Sequence, residues 1–277
     1  MNRYIKGLSR MLQEWRKDPD AFNQLLKQVP YECSGLQFWR GYREMSPNIS
    51  QLPADAPDGN PLWEYFQSHE TGHGIWKWEH YFEIYHRHLS KFVDRGPNVL
   101  EIGVYSGGSL EMWHSYFGAE SQIFGVDIEP ACKSYESDHV SILIGDQADR
   151  GFWAECKKNV EGIDVLIDDG GHTEEQQRIT LEEMLPALRA GGVYLCEDIY
   201  GTFNKFADFA ASLVHSLNEL AIPSERTVLT SAVSPLQRSI HSLHFYPYVT
   251  VIEKNDAPVT SFSAPKHGTQ WQPHLVP

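Results

Sequence analysis

The sequence predicts an α/β fold: a doubly wound, mostly parallel sheet closed by an antiparallel hairpin, with a helical region ahead of it. Three observations carry this reading. From Asn98 onward, short apolar runs alternate with stretches of helical periodicity, the pattern of strands joined by helical crossovers. Two of those runs, Val165-Leu166-Ile167 and Val193-Tyr194-Leu195-Cys196, end abruptly in the carboxylate pairs Asp168-Asp169 and Glu197-Asp198. The last two runs, Ser239 to Phe245 and Tyr248 to Glu253, alternate in polarity and meet at Tyr246-Pro247, as a hairpin does.

The elements follow in order. Residues 1–89 read as a helical N-terminal or lid region, with short helices over Tyr4 to Trp15 and Ala21 to Val29. Pro47 to Pro61 is rich in Pro, Asp, Asn and Gly and reads as a linker. Trp76 to Leu89 regains helical spacing with an aromatic face. The sheet domain is expected over 90–256. Its strands are Val99 to Val104, Gln122 to Asp127, Val140 to Ile144, the two carboxylate-tipped runs and the hairpin, seven in all. Its helices are Leu110 to Phe117, Gly151 to Asn159, Glu174 to Leu188 (stopped by Gly191-Gly192) and Phe206 to Leu220. Residues 257–277 read as a poorly ordered tail.

Composition narrows the partners. In 277 residues, 37 acidic side chains face 23 basic ones, a net charge of −14 that argues against nucleic acid or an anionic membrane. No apolar run suggests a signal peptide or a membrane span, so a cytoplasmic protein is expected. Cys33, Cys132, Cys156 and Cys196 form no CxxC pair and read as reduced, structural thiols.

The chemistry gathers at the carboxyl ends of the strands. A strand–helix–strand crossover brings both acidic tips to one edge, about 4.8 Å apart if the strands are neighbours. Carboxylates crowded there repel, and a hard divalent cation resolves this simply. VLEIGVYSGGSLEMW (Val99 to Trp113) puts Gly103, Gly107 and Gly108 between a strand and a helix, where backbone can approach a ligand and helix N–H groups face an anion. Tyr105 stands where a GxGxxG fingerprint has glycine, which disfavours a dinucleotide pyrophosphate; a smaller carboxylate fits. Asp127 ends the second strand, where an acid can accept both ribose hydroxyls, and Asp146-Gln147 ends the third, beside the position of an adenine amine. Taken singly, each is as readily a helix cap or loop carboxylate.

With these residues in view, Thr71 to Glu253 resembles a class I S-adenosylmethionine-dependent methyltransferase with a Rossmann-like sheet. More narrowly it resembles the metal-dependent macrolide sugar O-methyltransferases of the mycinamicin and tylosin type, and their cephalosporin-pathway and rhamnosyl relatives. The resemblance implies magnesium on Asp169, Glu197 and Asp198, with Asp169 and the general base His172 at the catalytic centre. It further implies S-adenosylmethionine on Glu101, Gly103, Tyr105, Gly107, Ser109, Asp127, Asp146, Gln147 and Asp168. The helices before Thr71 match the family only loosely.

An aliphatic hydroxyl is water-like in acidity while histidine titrates near 6.5, so direct proton transfer is uphill by roughly 10 kcal/mol. A cation that acidifies the acceptor oxygen makes the base useful, and a vicinal diol is the expected chelating acceptor. The expected function is thus a magnesium-dependent O-methyltransferase of a sugar or glycosylated natural product. Alternatives are methylation of a catechol-like phenol and a non-catalytic cofactor-binding assembly partner; a dehydrogenase fits least. A small-molecule acceptor and a homo-oligomer are expected. His80, His86 and His88 read as surface or lid residues, and Trp63, Trp76 and Trp78 as core, interface or a ring-stacking lid.

Overall fold

The computed structural model describes residues 11–45, 59–201, 204–219, 229–265 and 267–268. The start of the first expected helix and nearly all of the expected linker lie outside them. By contacts the chain divides into Met1–Asp55 and Ala56–Pro277. In the first unit residues 11–17 are helical, and α1 spans Pro19–Met45. The short helix expected to end at Val29 instead continues through Pro30, which lacks the N–H of an ordinary helical residue.

The second unit holds the sheet. Strands β1 (Asn98–Ile102), β2 (Gln122–Asp127), β3 (Val140–Ile144), β4 (Ile163–Asp168) and β5 (Leu188–Ile199) run parallel. The hairpin β7 (Ile240–Tyr246) and β8 (Tyr248–Lys254) joins β5 antiparallel, giving the order β3-β2-β1-β4-β5-β8-β7. The seven-stranded sheet with its closing hairpin is therefore the one expected. Alternate residues enter opposite cores, Val99, Val165 and Val193 on one face and Leu100, Leu166 and Tyr194 on the other. The first face is covered by α2 (Pro61–Ser68), α3 (Tyr81–Leu89) and α4 (Gly108–Phe117). The other packs under α5 (Arg150–Asn159), α6 (Glu174–Met184) and α7 (Lys205–Leu217). Both faces are buried, which is why β1 and β4 read as unbroken apolar runs.

Five differences from the sequence reading matter. Residues 59–89, grouped there with the N-terminal region, share the core of the sheet domain through Leu62, Tyr81, Phe82, Tyr85 and Leu89. The helix α2 was not expected, although Asn60 caps it by accepting from Leu62 and Trp63 and Pro61 opens it. Helix α3 begins at Tyr81 rather than Trp76, leaving residues 74–78 without helix. Helix α6 ends at Met184, two residues ahead of Pro186, which has no N–H to continue the helical ladder, although Leu185 between them keeps helical dihedrals; Gly191 and Gly192 lie inside β5. Within the expected tail, β9 (Ser261–Ala264) pairs with β6 (Leu229–Ala232). Among the described residues no helix is long and apolar enough to cross a membrane.

Candidate active site

The turn after β1 is built for close approach. Gly103 has φ +90°, and a Cβ there would lie 2.0 Å from the Asp169 carbonyl oxygen. Gly107 has φ +80° and opens α4 without a side-chain cap, so the first N–H groups of that helix keep their capacity for an anion. Tyr105, also left-handed at φ 48°, is 74% exposed on the turn. Ser109 donates its hydroxyl to Glu101 Oε2 at 2.7 Å, while Glu101 Oε1 is buried with no hydrogen-bond partner among the described residues. Asp127 holds the turn: its Oδ2 accepts from the Val104 and Tyr105 N–H groups, and its Oδ1 from Glu129. The turn thus combines close backbone approach with a helix start of the kind that receives an anion.

Not every expected contact faces it. Gln147 is buried, donating to Asp168 Oδ1 at 2.5 Å and accepting from the Gly171 N–H at 2.9 Å. Asp168 has no exposed surface and also accepts from Tyr194; burial pushes its carboxyl up to about 7, against the opposing pull of those hydrogen bonds. Gln147 and Asp168 therefore brace the loop from beneath, because alternation along a strand sends Asp168 into the core and leaves Asp169 at the tip. Asp146 is exposed and caps the next turn by accepting from Ala148.

At the tips of β4 and β5 the second constellation forms. The β5–β8 register shifts between Cys196 and Ile199, and Asp198 takes φ 57°, a bulge that re-aims the acidic pair. His172, with φ 55°, brings Nε2 to 3.6 Å from Asp198 Oδ2 and 4.0 Å from Asp169 Oδ1. One ligand atom from each of Asp169, His172 and Asp198 lies within 4.8 Å of the others. The Nδ1 atom of His172 is buried and has no hydrogen-bond partner among the described residues. Two carboxylates aimed at one point, with oxygen donors predominating, suit a hard divalent ion.

Glu197 behaves differently from its neighbour. It is buried, and both its oxygens lie on the ammonium of Lys77, at 3.0 and 3.2 Å. Lys77 also donates to Asp169 Oδ2 at 2.6 Å and sits 3.6 Å from Glu101 Oε1. Burial alone would discharge this amine; Asp169, Glu197 and Glu101 together outweigh burial and hold its pKa well above the usual lysine range. Tyr81 donates its hydroxyl to Asp198 Oδ1 at 2.7 Å and accepts from the Asp198 N–H at 3.2 Å, fixing the strained residue. Burial, reinforced by the bond to Asp198, pushes the Tyr81 hydroxyl up. Sequence reasoning missed both Lys77 and Tyr81. It also took His88 for a surface or lid residue; His88 is 4% exposed, on the inner side of α3 against the hairpin.

Beside Asp198 the surface is aromatic. Trp78 and Tyr200 lie 5.6 and 5.7 Å from the Tyr248 ring, and Tyr200 donates to Asp198 Oδ2 at 3.3 Å. Trp78 is 50% exposed and Tyr200 48%. The aromatic wall borders the acid–histidine constellation.

A family model described as "Methyltransferase domain" matches residues 100–199. The 8-demethyl-8-alpha-L-rhamnosyl tetracenomycin-C 2'-O-methyltransferase of Streptomyces olivaceus is 30% identical over 203 residues, 66% of this chain and 52% of that protein. Demethylmacrocin O-methyltransferase of Streptomyces fradiae is 30% identical over 253 residues, 81% of this chain and 61% of that protein. Among solved structures, the MycE methyltransferase of the mycinamycin pathway, in complex with Mg, SAH and mycinamycin VI, matches at a TM-score of 0.58. It is 26% identical, with 73% of this chain and 54% of that one covered. The chain thus spans about half to three-fifths of the length of these relatives. Sheet order, glycine turn and comparisons agree that the chain carries a class I S-adenosylmethionine-dependent methyltransferase domain, similar to those of the macrolide and rhamnosyl sugar O-methyltransferases.

Proposed function

We propose that this chain is a magnesium-dependent O-methyltransferase that moves a methyl group from S-adenosylmethionine to a hydroxyl of a sugar or glycosylated natural product. The observation that carries the reading is the meeting of Asp169, His172 and Asp198 beside the Gly103 turn, whose backbone touches the Asp169 carbonyl. The Mg and SAH named for the MycE structure, and the sugar acceptors named for the relatives, support it. The turn from Gly103 to Gly108 would receive the carboxylate of the methyl donor, with Asp127 beside the ribose. Asp169 and Asp198 would hold the ion, with Glu197 next to them. Bound there, magnesium supplies a lowered acceptor pKa and a fixed acceptor oxygen. His172 Nε2 takes the hydroxyl proton as the oxygen gains the methyl group and the sulfonium departs as a neutral thioether. Trp78, Tyr200 and Tyr248 offer apolar faces on which a sugar ring can stack.

The test pairs calorimetry with turnover on glycosides bearing vicinal hydroxyls. S-adenosylhomocysteine should bind with or without EDTA, whereas EDTA should abolish turnover. Full activity in EDTA overturns the metal assignment, and NAD binding in place of S-adenosylhomocysteine overturns the cofactor. The aromatic wall also suits a catechol-like phenol. A phenol is already acidic, so its methylation would survive loss of the His172 imidazole, which separates the two acceptors. We further propose a homo-oligomer, supported by Leu26, Val29 and Leu36 exposed on α1. Light scattering should give a multiple of the 31.7 kDa chain mass, and a monomer at micromolar concentration rules this out.

A further inference from the structure

Across residues 71–80 the ordinary rule of burial is reversed. Trp76 is 86% exposed and Trp78 50%, while Lys77 between them is the one buried residue of the stretch. A tryptophan pair turned outward around an inward lysine is not packing for its own sake. The lysine enters a pocket made by the ends of three neighbouring strands: Glu101 on β1, Asp169 just past β4, and Glu197 on β5. It engages both oxygens of Glu197 but only Oδ2 of Asp169; the other oxygen of Asp169 faces His172.

We infer that Lys77 is the resident cation of this acidic site, and that it competes with a divalent ion for Glu197 and Asp169. With the ammonium seated, an ion finds Asp169 Oδ1 and Asp198 Oδ2, while Glu197 is already matched. To recruit Glu197 the ion must displace the ammonium, and with it the segment 71–80 that Lys77 anchors. Ion binding and the seating of this segment are therefore linked, and the segment carries Trp78 of the aromatic wall. Lys77 acts here as a positioning residue, through the carboxylates rather than on the acceptor.

The inference rests on the divalent-ion reading above, and the experiment separates the two. Mn2+ binding is titrated by electron paramagnetic resonance on wild type, Lys77→Met and Lys77→Arg, with thermal melts in EDTA and in Mn2+. Lys77→Met should bind Mn2+ more tightly than wild type, on the order of tenfold or more, since a like charge a few ångströms away has gone. It should melt lower than wild type in EDTA and regain the difference in Mn2+. Lys77→Arg should stay near wild type in both. In the wild type, which needs no variant to fold, Mn2+ should speed amide exchange across residues 71–80. Mn2+ bound by wild type but no tighter by Lys77→Met, or with no change in exchange, overturns the inference and leaves the ion reading standing. No Mn2+ binding by any of the three overturns both.

Discussion

Among the described residues, histidine and carboxylate side chains gather in two places in the sheet domain, and both place three potential ligand atoms within 4.8 Å of one another. At the strand tips the members are Asp169, His172 and Asp198; against the hairpin they are His88, His244 and Glu253. The hairpin group is saturated. His88 meets Glu253 through Nδ1 at 2.5 Å and the Tyr246 hydroxyl through Nε2 at 2.9 Å, and Lys91 donates to the second oxygen of Glu253. The strand-tip group is not. His172 Nδ1 has no partner, its Nε2 stands 3.6 Å from the nearest carboxylate oxygen, and its side chain is a third exposed. Ligand spacing does not distinguish the two groups. What does is whether hydrogen-bonding capacity is already spent, because a matched buried histidine is structure and an unmatched one is available to a ligand.

The sharpest way to break this comparison is to delete each histidine. His172→Ala should lower kcat by about 10²–10⁴, the scale of a general base, with S-adenosylhomocysteine affinity kept. His88→Ala should spare the chemistry and instead cost roughly 1–3 kcal/mol of stability, since Glu253 and Tyr246 lose a partner. Equal losses of rate from both, with melting points unchanged, would erase the distinction between the two groups.

Acid–base behaviour sharpens it further. Asp168, the buried brace beneath the open site, has its folded pKa raised to about 7 by burial. Between its ordinary value and 7 the native state holds a proton that the unfolded chain has released, so this group's contribution to stability is lost as pH rises through 7. The effect is on the order of 4 kcal/mol at 1.36 kcal/mol per unit. Urea midpoints at pH 4.5 and 7.5 should differ less in Asp168→Asn than in wild type; an identical pH response would refute the assignment. Glu253 runs the other way and more weakly. Its bond to His88 holds it down at about 2, so its stabilisation is present above the ordinary glutamate range and fades as pH falls toward 2. Acid unfolding of Glu253→Gln should show a shallower slope below pH 4.5, and an unchanged slope would count against the saturated pair.

The sheet was legible because both its faces are buried: β2 and β3 match the expected runs end to end, and β1 begins one residue early and ends two early. The acidic tips were legible because carboxylates seldom follow an apolar run without a use. Lys77 and Tyr81 were not, for a physical reason. They reach the site across 92 to 120 residues, from a segment whose spacing looked helical and whose aromatic residues drew the eye to stacking. Gln147 and Asp168 show the converse difficulty. A polar residue at a strand end can point either way, and only the β4 register with β1 and β5 decides that Asp168 faces in.

Gly103 has a consequence of its own. The Asp169 N–H donates to the Ile102 carbonyl at 3.0 Å, and no side chain fits at Gly103 against the Asp169 carbonyl. The Gly103 turn and the acidic tip are thus one seam of backbone, and a shift in either loop is felt by its neighbour. Free energy passed across such a seam is returned in equal measure, so whatever the nucleoside adds to ion affinity the ion adds to nucleoside affinity. An alanine at 103 would be a single lesion with two symptoms, loosening both ligands by parting the loops, and second-site suppressors should arise around residue 169 rather than around the ribose.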